Sequence, residues 1–288
     1  MFAVSSLVEK SFEIWPGRLA LAARGKGARD AIDAGMDAVR EVSLSLLTDA
    51  ELLSNGRGNV LPRGKAARLA LEAMHVFRDA ISGDMLPPVL AALPGSVCDV
   101  VLAAMRNAAD GAGDVEFSVV SLGDAAAIHM EPGTTAPQDM DVPAVLGEFM
   151  GVLGNGVQGG AAIGGIRSGI PTCGVLDIVA AQSKSAALAG LAAAALADAA
   201  LAATGSPGHM PRDKLMALGW RGRVVNAATG FVEPELVWEA LSLSVRRGTA
   251  LREKKLLRAA ALGLKGRGRT IGPIDGDRLL RFGVSEWR

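Results

Sequence analysis

The amino-acid sequence predicts an α+β fold in which mixed or antiparallel sheets pack against helices. One observation is a hairpin pattern: the β-branched run Val115–Leu122 is followed by the tight turn Gly123-Asp124 and a second strand over residues 125–131. Another is the segment 28–53, where apolar residues recur at three- and four-residue steps and indicate an amphipathic helix. The GxGxxG fingerprint of doubly wound dinucleotide-binding folds is absent, and so is any internal repeat. Irregular alternation of strands and helices therefore favours α+β over a parallel α/β fold.

Prolines, glycines and the spacing of apolar residues predict the positions of the other elements. Two apolar runs separated by Pro16-Gly17 predict a strand or hairpin opening within residues 1–27, and the segment 66–77 has a second amphipathic pattern. Because proline lacks an amide donor, the prolines in 83–105 predict a loop at 83–88 and a helix capped by Ser96. That helix is expected to end near residue 107. Further strands are predicted at 145–153, 220–227, 256–266 and 268–272, and a helix from Glu233-Pro234.

Composition limits the classes of partner. Half of the 288 residues are hydrophobic and 21% are charged, which is typical of a globular chain long enough for a sizeable core. We expect one domain over 1–288, or two intimately joined lobes that meet near 134–158. Basic and acidic residues balance at 30 each, so no net charge attracts nucleic acid or an anionic membrane. Aromatic residues are 4% with no tyrosine, which disfavours base-stacking surfaces.

A cytoplasmic, soluble protein is the expectation. Glu9 and Lys10 come too early for the apolar run of a signal peptide. The most membrane-like segment, 186–204, is mostly alanine and contains Asp198, so we interpret it as a buried helix. Cys98 and Cys173 have no metal-binding spacing and are predicted to be reduced, buried thiols. The three histidines are dispersed, so no metal site is predicted.

The richest stretch for a site is 159–204, a glycine-rich strand and turn, a second strand, and an alanine-rich helix. In its turn, the backbone amides of Gly165 and Gly169, the Ser168 hydroxyl and the Arg167 guanidinium suit a phosphate or a carboxylate. The alternative is that the glycines only allow close packing. Both interpretations stay open at this stage.

Two acids complete the candidate ligand-binding set. Asp124 follows Gly123, which would let the backbone of a hairpin turn approach a ligand closely, although glycine and aspartate are also ordinary turn residues. Asp198 lies on an apolar helix, and burial of an unpaired carboxylate is unfavourable. We expect a partner for it: a metal, a helix N-terminus or a cation such as Arg167, with a structural salt bridge as the simpler alternative.

Three blocks, in this order, resemble an uncharacterised family of the ApbE-like (flavin-transferase-like) superfamily. They are 121–133, like the Asn-Gly-Gly-Asp hairpin; 165–200, like a Thr-Ser-Gly turn, an Ala-Asp strand and an Ala-Asp-Ala helix; and 233–272, like a terminal helix, strand and Arg-Thr-Val-Gly ending. The resemblance covers roughly 19–272 and implies an ApbE-like α+β fold. It implies a protein that binds a small phosphorylated or carboxylated metabolite. Its most specific implication is an enzyme of coenzyme biosynthesis, in a pathway that makes a tetrahydromethanopterin-type one-carbon carrier.

The departures from that family bear on cofactors. Relatives that transfer flavin use an Asp and a Thr four positions later to help bind Mg²⁺, but here Asp198 is followed by Ala202. Leu122 replaces the first glycine of the hairpin, and the acid-glycine-lysine segment of the relatives has no counterpart. FAD and Mg²⁺ are therefore not expected, and catalytic residues are not assigned. A non-catalytic binding or assembly protein on the same scaffold is the main alternative, an FAD-dependent FMN transferase the second, and a homodimer is expected.

Overall fold

The computed structural model describes residues 7–55, 61–81, 86–112, 115–134, 147, 149, 159–169, 172–200 and 232–274. Within these residues, eight strands form one sheet, and six α-helices with described bounds pack with it, which confirms the α+β class. The strands are β1 Val8–Ile14, β2 Gly17–Gly25, β3 Val115–Leu122, β4 Ala125–Met130, β5 Gly159–Gly164, β6 Ile178–Ser183, β7 Ala259–Leu264 and β8 Arg267–Ile271. The helices are α1 Ala28–Ser43, α2 Leu46–Asn55, α3 Lys65–Ala80, α4 Leu93–Ala112, α5 Ala186–Asp198 and α6 Pro234–Glu253.

The strands follow one another across the sheet in chain order, and each pairs antiparallel with the next. No parallel pair occurs in the part of the sheet that the structure describes, so of the two predicted arrangements the antiparallel one is found. Alternate connections in such a sheet lie at the same end of the strands. The β1–β2, β3–β4, β5–β6 and β7–β8 connections therefore lie together, and we call this end of the strands the loop end of the sheet.

Side chains alternate between two buried faces of the sheet. The helix face packs against the helices and contains Leu21, Val120 and Leu262, whereas the far face contains Phe117 and Ile128. Phe149 is fully buried in the cluster on the far face.

The prediction of a strand in 145–153 is wrong at the two positions described there. Gly147 and Phe149 are helical. An aromatic side chain that covers a sheet face does not need to belong to a strand. The predicted strand at 220–227 lies outside the described residues.

Helix α5 is the centre of the core, and all of its residues are buried. It contacts β5, β6, α4 and α6. Alanine dominates α5, so these elements approach the helix backbone closely. At its start, the Ser185 hydroxyl accepts a hydrogen bond from Leu188 N at 3.3 Å, as expected of an N-cap.

Asp99 of α4 joins the two central helices. Its two carboxylate oxygens accept hydrogen bonds from Ala186 N and Ala187 N, each at 2.9 Å, at the N-terminus of α5. The positive end of a helix favours such a carboxylate. Burial nevertheless dominates and raises the pKa of Asp99 from 3.8 to about 6, with the two amides opposing that rise.

The raised pKa of Asp99 predicts a pH dependence of stability. Between about pH 4 and pH 6 the folded protein keeps a proton that the unfolded chain has released, so this group makes the free energy of unfolding fall as pH rises. The loss is complete above about pH 6 and amounts to about 3 kcal/mol.

Asp99→Asn, which cannot ionise, should remove that dependence. In urea unfolding measured from pH 4 to pH 7.5, we expect the stability of wild type relative to Asp99→Asn to decrease with pH. A difference that is flat or rises with pH would contradict the buried, proton-binding Asp99.

Two predicted helices differ from those observed. The helix predicted for 28–53 divides into α1 and α2, with a turn at Leu44 and Ser45. The turn lets Asp49 accept hydrogen bonds from Arg63 N and Gly64 N, at 3.1 and 2.9 Å, before α3.

The strand boundaries predicted for 256–266 are too wide, since β7 begins at Ala259.

Helix α4 begins at Leu93, so the prediction of Ser96 as its N-cap is wrong. Pro94 lies in the first turn, where a missing amide hydrogen does not break a helical bond. Ser96 lies inside the helix, and its hydroxyl donates to Ala92 O at 2.9 Å.

Among the described residues, one helical run is long and apolar enough to cross a membrane: Val89–Ala109, which joins a 3₁₀ turn at Val89–Ala92 to α4. Within the fold, 61% of its most apolar window is buried. The segment expected to be most membrane-like, α5, is a shorter apolar helix. The fold is thus compatible with a soluble protein. Cys98 and Cys173 are both buried thiols, as predicted.

Candidate functional site

The loop end of the sheet brings together most of the predicted ligand-binding residues. At the β3–β4 turn, Gly123 has a φ of +53°, which favours glycine, and its N–H donates to Arg18 O at 3.1 Å. This hydrogen bond joins the turn to the start of β2. The longer β5–β6 connection, residues 165–177, lies at the same end of the sheet, and all of it except 170 and 171 is described.

Asp124 connects the hairpin turn to the β5–β6 loop. Its Oδ2 accepts a hydrogen bond from Gly169 N at 2.5 Å, across 45 residues of sequence, and its backbone O accepts from Ile163 N at 2.8 Å. Its other oxygen, Oδ1, has no hydrogen-bond donor among the described residues. Burial raises the pKa of Asp124, and the Gly169 amide opposes part of that rise. Asp124 therefore combines one oxygen fixed by the loop with one that can meet a ligand.

The first half of the loop is a tight turn built on Gly165. Gly165 has a φ of +99°, and its backbone O accepts from both Ser168 N at 3.1 Å and Ser168 Oγ at 2.9 Å. Arg167 N donates to Asp177 O at 3.1 Å, while the residue itself is exposed at the rim. Gly169 is also exposed. The turn thus places a guanidinium, a half-buried hydroxyl and a glycine beside Asp124.

Asp198, at the end of α5, is hydrogen-bonded to the second half of the same loop. It is 3% exposed at the end of α5, and its Oδ1 accepts hydrogen bonds from Thr172 Oγ1 at 2.8 Å and Cys173 N at 2.7 Å. Thr172 Oγ1 also accepts from Gly174 N at 3.0 Å. These contacts supply partners that the sequence did not predict for Asp198. They make the carboxylate an anchor of the loop.

These contacts can be tested against the Mg²⁺ that the family resemblance implies. A cation needs oxygen lone pairs directed towards it. Here both contacts described for Asp198 Oδ1 come from hydrogen-bond donors, and the Thr172 hydroxyl already donates to that carboxylate and accepts from Gly174. As described, these two oxygens do not form a magnesium site, and no group of three or more metal-ligating side chains occurs among the described residues. No step is assigned to a metal. Ala202, at the position of the relatives' threonine, lies outside the described residues.

The structure divides the predicted set of residues into two layers. Gly123, Asp124, Ser168 and Gly169 lie at the accessible loop end with Arg167, and Gly165 supports their turn. Asp198 lies beneath them and reaches the site only through the loop. Sequence reasoning missed Thr172 and Cys173 as its partners. A hydroxyl next to a proline in a glycine-rich loop was the only signal available, and its partner is 26 residues away.

A second concave site lies between α1, α2 and the start of α3, with a cavity of about 220 Å³. It is lined by Asp49, Arg63 and Lys65, among others. Two of its charged groups already have partners, because Asp49 accepts from two loop amides and Lys65 Nζ pairs with Glu41 at 3.0 Å. We therefore rank this cavity below the loop end as a candidate site.

Comparison with known proteins adds no relative. No family model matches the chain, and a search of curated proteins gives no match.

Proposed function

We propose that the chain binds a small phosphorylated or carboxylated metabolite at the loop end of the sheet. The observation that carries the proposal is Asp124, a partly buried carboxyl with one oxygen held by Gly169 N and the other without a described partner. A raised pKa suits a group that accepts or shares a proton with a ligand hydroxyl or amine. Arg167 and Ser168, on the adjacent turn, would hold the anionic group of the same ligand.

The resemblance to the ApbE-like superfamily supports a more specific proposal: an enzyme of coenzyme biosynthesis in the cytoplasm, serving a tetrahydromethanopterin-type one-carbon carrier, in a homodimer. Under this proposal Asp124 is the residue placed to exchange a proton with the ligand. Asp198 has a supporting role, because its described contacts hold the loop.

A non-catalytic binding or assembly protein is the second candidate. One observation favours it: Asp198, the acid that flavin-transferring relatives use for their metal, is hydrogen-bonded to Thr172 and Cys173 of the chain itself. Loss of metal chemistry with retention of the loop would leave a ligand site without a reaction. Turnover of the bound metabolite by the purified protein would separate the two candidates.

The ligand site is tested by Asp124→Asn. Asparagine keeps an oxygen for the Gly169 amide but cannot ionise, so the loop should stay in place while the ligand contact changes. We expect a panel of phosphorylated and carboxylated metabolites, screened by thermal shift, to contain a ligand of wild type that binds Asp124→Asn at least about tenfold more weakly.

Glu131→Gln is the matched control, since Glu131 is an exposed acid just beyond the opposite end of β4. This variant should bind like wild type. If Asp124→Asn binds every ligand of the panel as tightly as wild type does, the proposed site is wrong.

A further inference from the structure

Among the described residues, the sheet ends in a basic edge strand that the ligand site does not use. Strand β8 has β7 as its only described neighbour in the sheet, and Arg267, Gly268, Arg269 and Thr270 are all exposed. An edge strand directs every second pair of backbone N–H and C=O groups outwards. Such a row of donors and acceptors can pair with a further strand.

The two arginines of β8 lie on one face of that edge. Arg267 and Arg269 pair with Leu264 and Leu262, whose side chains belong to the helix face. On that face both guanidinium groups approach the ring of Trp238 in α6, with Cζ to centroid distances of 5.8 and 4.3 Å. These cation–π contacts are moderately stabilising and hold both side chains on the helix face. Neither arginine forms an ion pair with a described acid.

Charge is concentrated around this edge, although the chain as a whole is neutral. Residues 258–271, which contain β7, β8 and their connection, include four basic residues and no acidic one. The partner must therefore supply negative charge, and the open backbone edge requires an extended conformation. We propose that β8 binds an acidic, extended segment of a partner protein as a ninth strand, with acidic side chains opposite Arg267 and Arg269.

The same features disfavour antiparallel pairing with a second copy of this chain at the edge. Pairing of β8 with β8 would place arginines opposite arginines, and like charges directly opposite each other are destabilising. Pairing with β1, in the orientation that continues the antiparallel sheet, would place Lys10 on the face of the arginines, because Lys10 pairs with Leu21 of the helix face. In an antiparallel arrangement the edge therefore favours an acidic strand from another protein.

The register sets the pattern of the bound segment. Acidic residues two apart would face Arg267 and Arg269, and small or β-branched residues at the alternate positions would lie opposite Gly268 and Thr270 on the far face. Nucleic acid could match the charge but not the backbone edge. A test that separates charge from strand pairing therefore decides between them.

The probe is the peptide Thr-Val-Glu-Thr-Glu-Val-Thr-amide, with fluorescein coupled to its N-terminal amine, titrated with the full-length protein and followed by fluorescence anisotropy. We expect saturable binding, at least about tenfold weaker for Arg267→Glu/Arg269→Glu, because two attractions become two repulsions. The matched control, Arg246→Glu/Arg252→Glu, reverses two exposed charges of α6 away from the edge. It should change binding by about twofold at most at physiological salt.

Strand pairing is tested by N-methylation of the peptide amides that would face β8, which should abolish binding although charge is unchanged. The proposal is overturned if the methylated peptide binds equally well, or if both double variants lose the same affinity. It is also overturned if a short DNA duplex competes as strongly as unlabelled peptide, since that marks a general polyanion surface. Absence of binding at 1 mM peptide would also overturn the proposal, since the two arginines would then only prevent other strands from pairing with β8.

Discussion

Replacement of Gly160 by alanine is expected to lower the free energy of unfolding by about 3 kcal/mol, close to the upper end for an overpacked core site. Gly160 lies in β5 beneath the start of α5. A Cβ added there would fall on the backbone of Ser185 and Ala186. Backbone cannot move aside as a flexible side chain can, so the helix and the strand would have to separate. Urea unfolding monitored by circular dichroism measures the loss through the transition midpoint.

Gly268→Ala provides the control for this prediction. Gly268 is also a strand glycine, but its added Cβ would meet only Leu262 O at 3.5 Å, an ordinary contact. Its unfolding free energy should change by at most about 0.5 kcal/mol. Equal stability of Gly160→Ala and Gly268→Ala would show that α5 does not rest on β5 as closely as described.

Asp198→Ala is expected to cost about 3 kcal/mol, because it leaves two buried donors without their acceptor. These are the Thr172 hydroxyl and the Cys173 amide, both of which donate to Asp198 Oδ1. Loss of the anchor should also loosen the loop. Hydrogen exchange should therefore be faster at the Cys173 amide in the variant, in addition to the lower urea midpoint.

Asp198→Asn separates hydrogen bonding from charge at this position. The amide oxygen can still accept from Thr172 and Cys173, so the variant should keep more than half of the stability that alanine loses. If asparagine is as destabilising as alanine, the charge of Asp198 matters more than the two described hydrogen bonds. That result would reopen the question of a cation at this acid.

Local signals in the sequence were sufficient for much of the fold. The hairpin around Gly123-Asp124 follows from β-branched strands on either side of a tight turn, and the helix α5 follows from its run of alanine and leucine. The α+β class follows from both. These features depend on neighbouring residues, which is why periodicity and turn chemistry predict them.

The errors arise where distant residues decide the structure. The division of α1 from α2 depends on Asp49 reaching the amides of Arg63 and Gly64, and no pattern within 28–53 shows that contact. The start of α4 was misplaced because Pro94 was taken as a break, although a proline in the first turn leaves the helix intact.

The candidate site shows the same division. Sequence predicted the residues of the β5–β6 turn and both acids, but not their roles. Asp198 was expected to need a metal, a helix N-terminus or a cation as partner, and its described partners are a hydroxyl and an amide of the loop. Asp124 was predicted as a carboxylate next to Gly123 in a hairpin turn, and its contact with Gly169 of the distant β5–β6 loop was not predicted.

Native mass spectrometry of small molecules that co-purify with the protein tests the central proposal most directly. The account predicts that wild type and Glu131→Gln carry a metabolite with a phosphate or carboxylate group and that Asp124→Asn does not. The urea unfolding midpoint of Asp124→Asn should equal that of wild type, so that the loss is not one of folding. A metabolite that remains bound to Asp124→Asn in the same amount as in wild type would contradict a ligand site at Asp124.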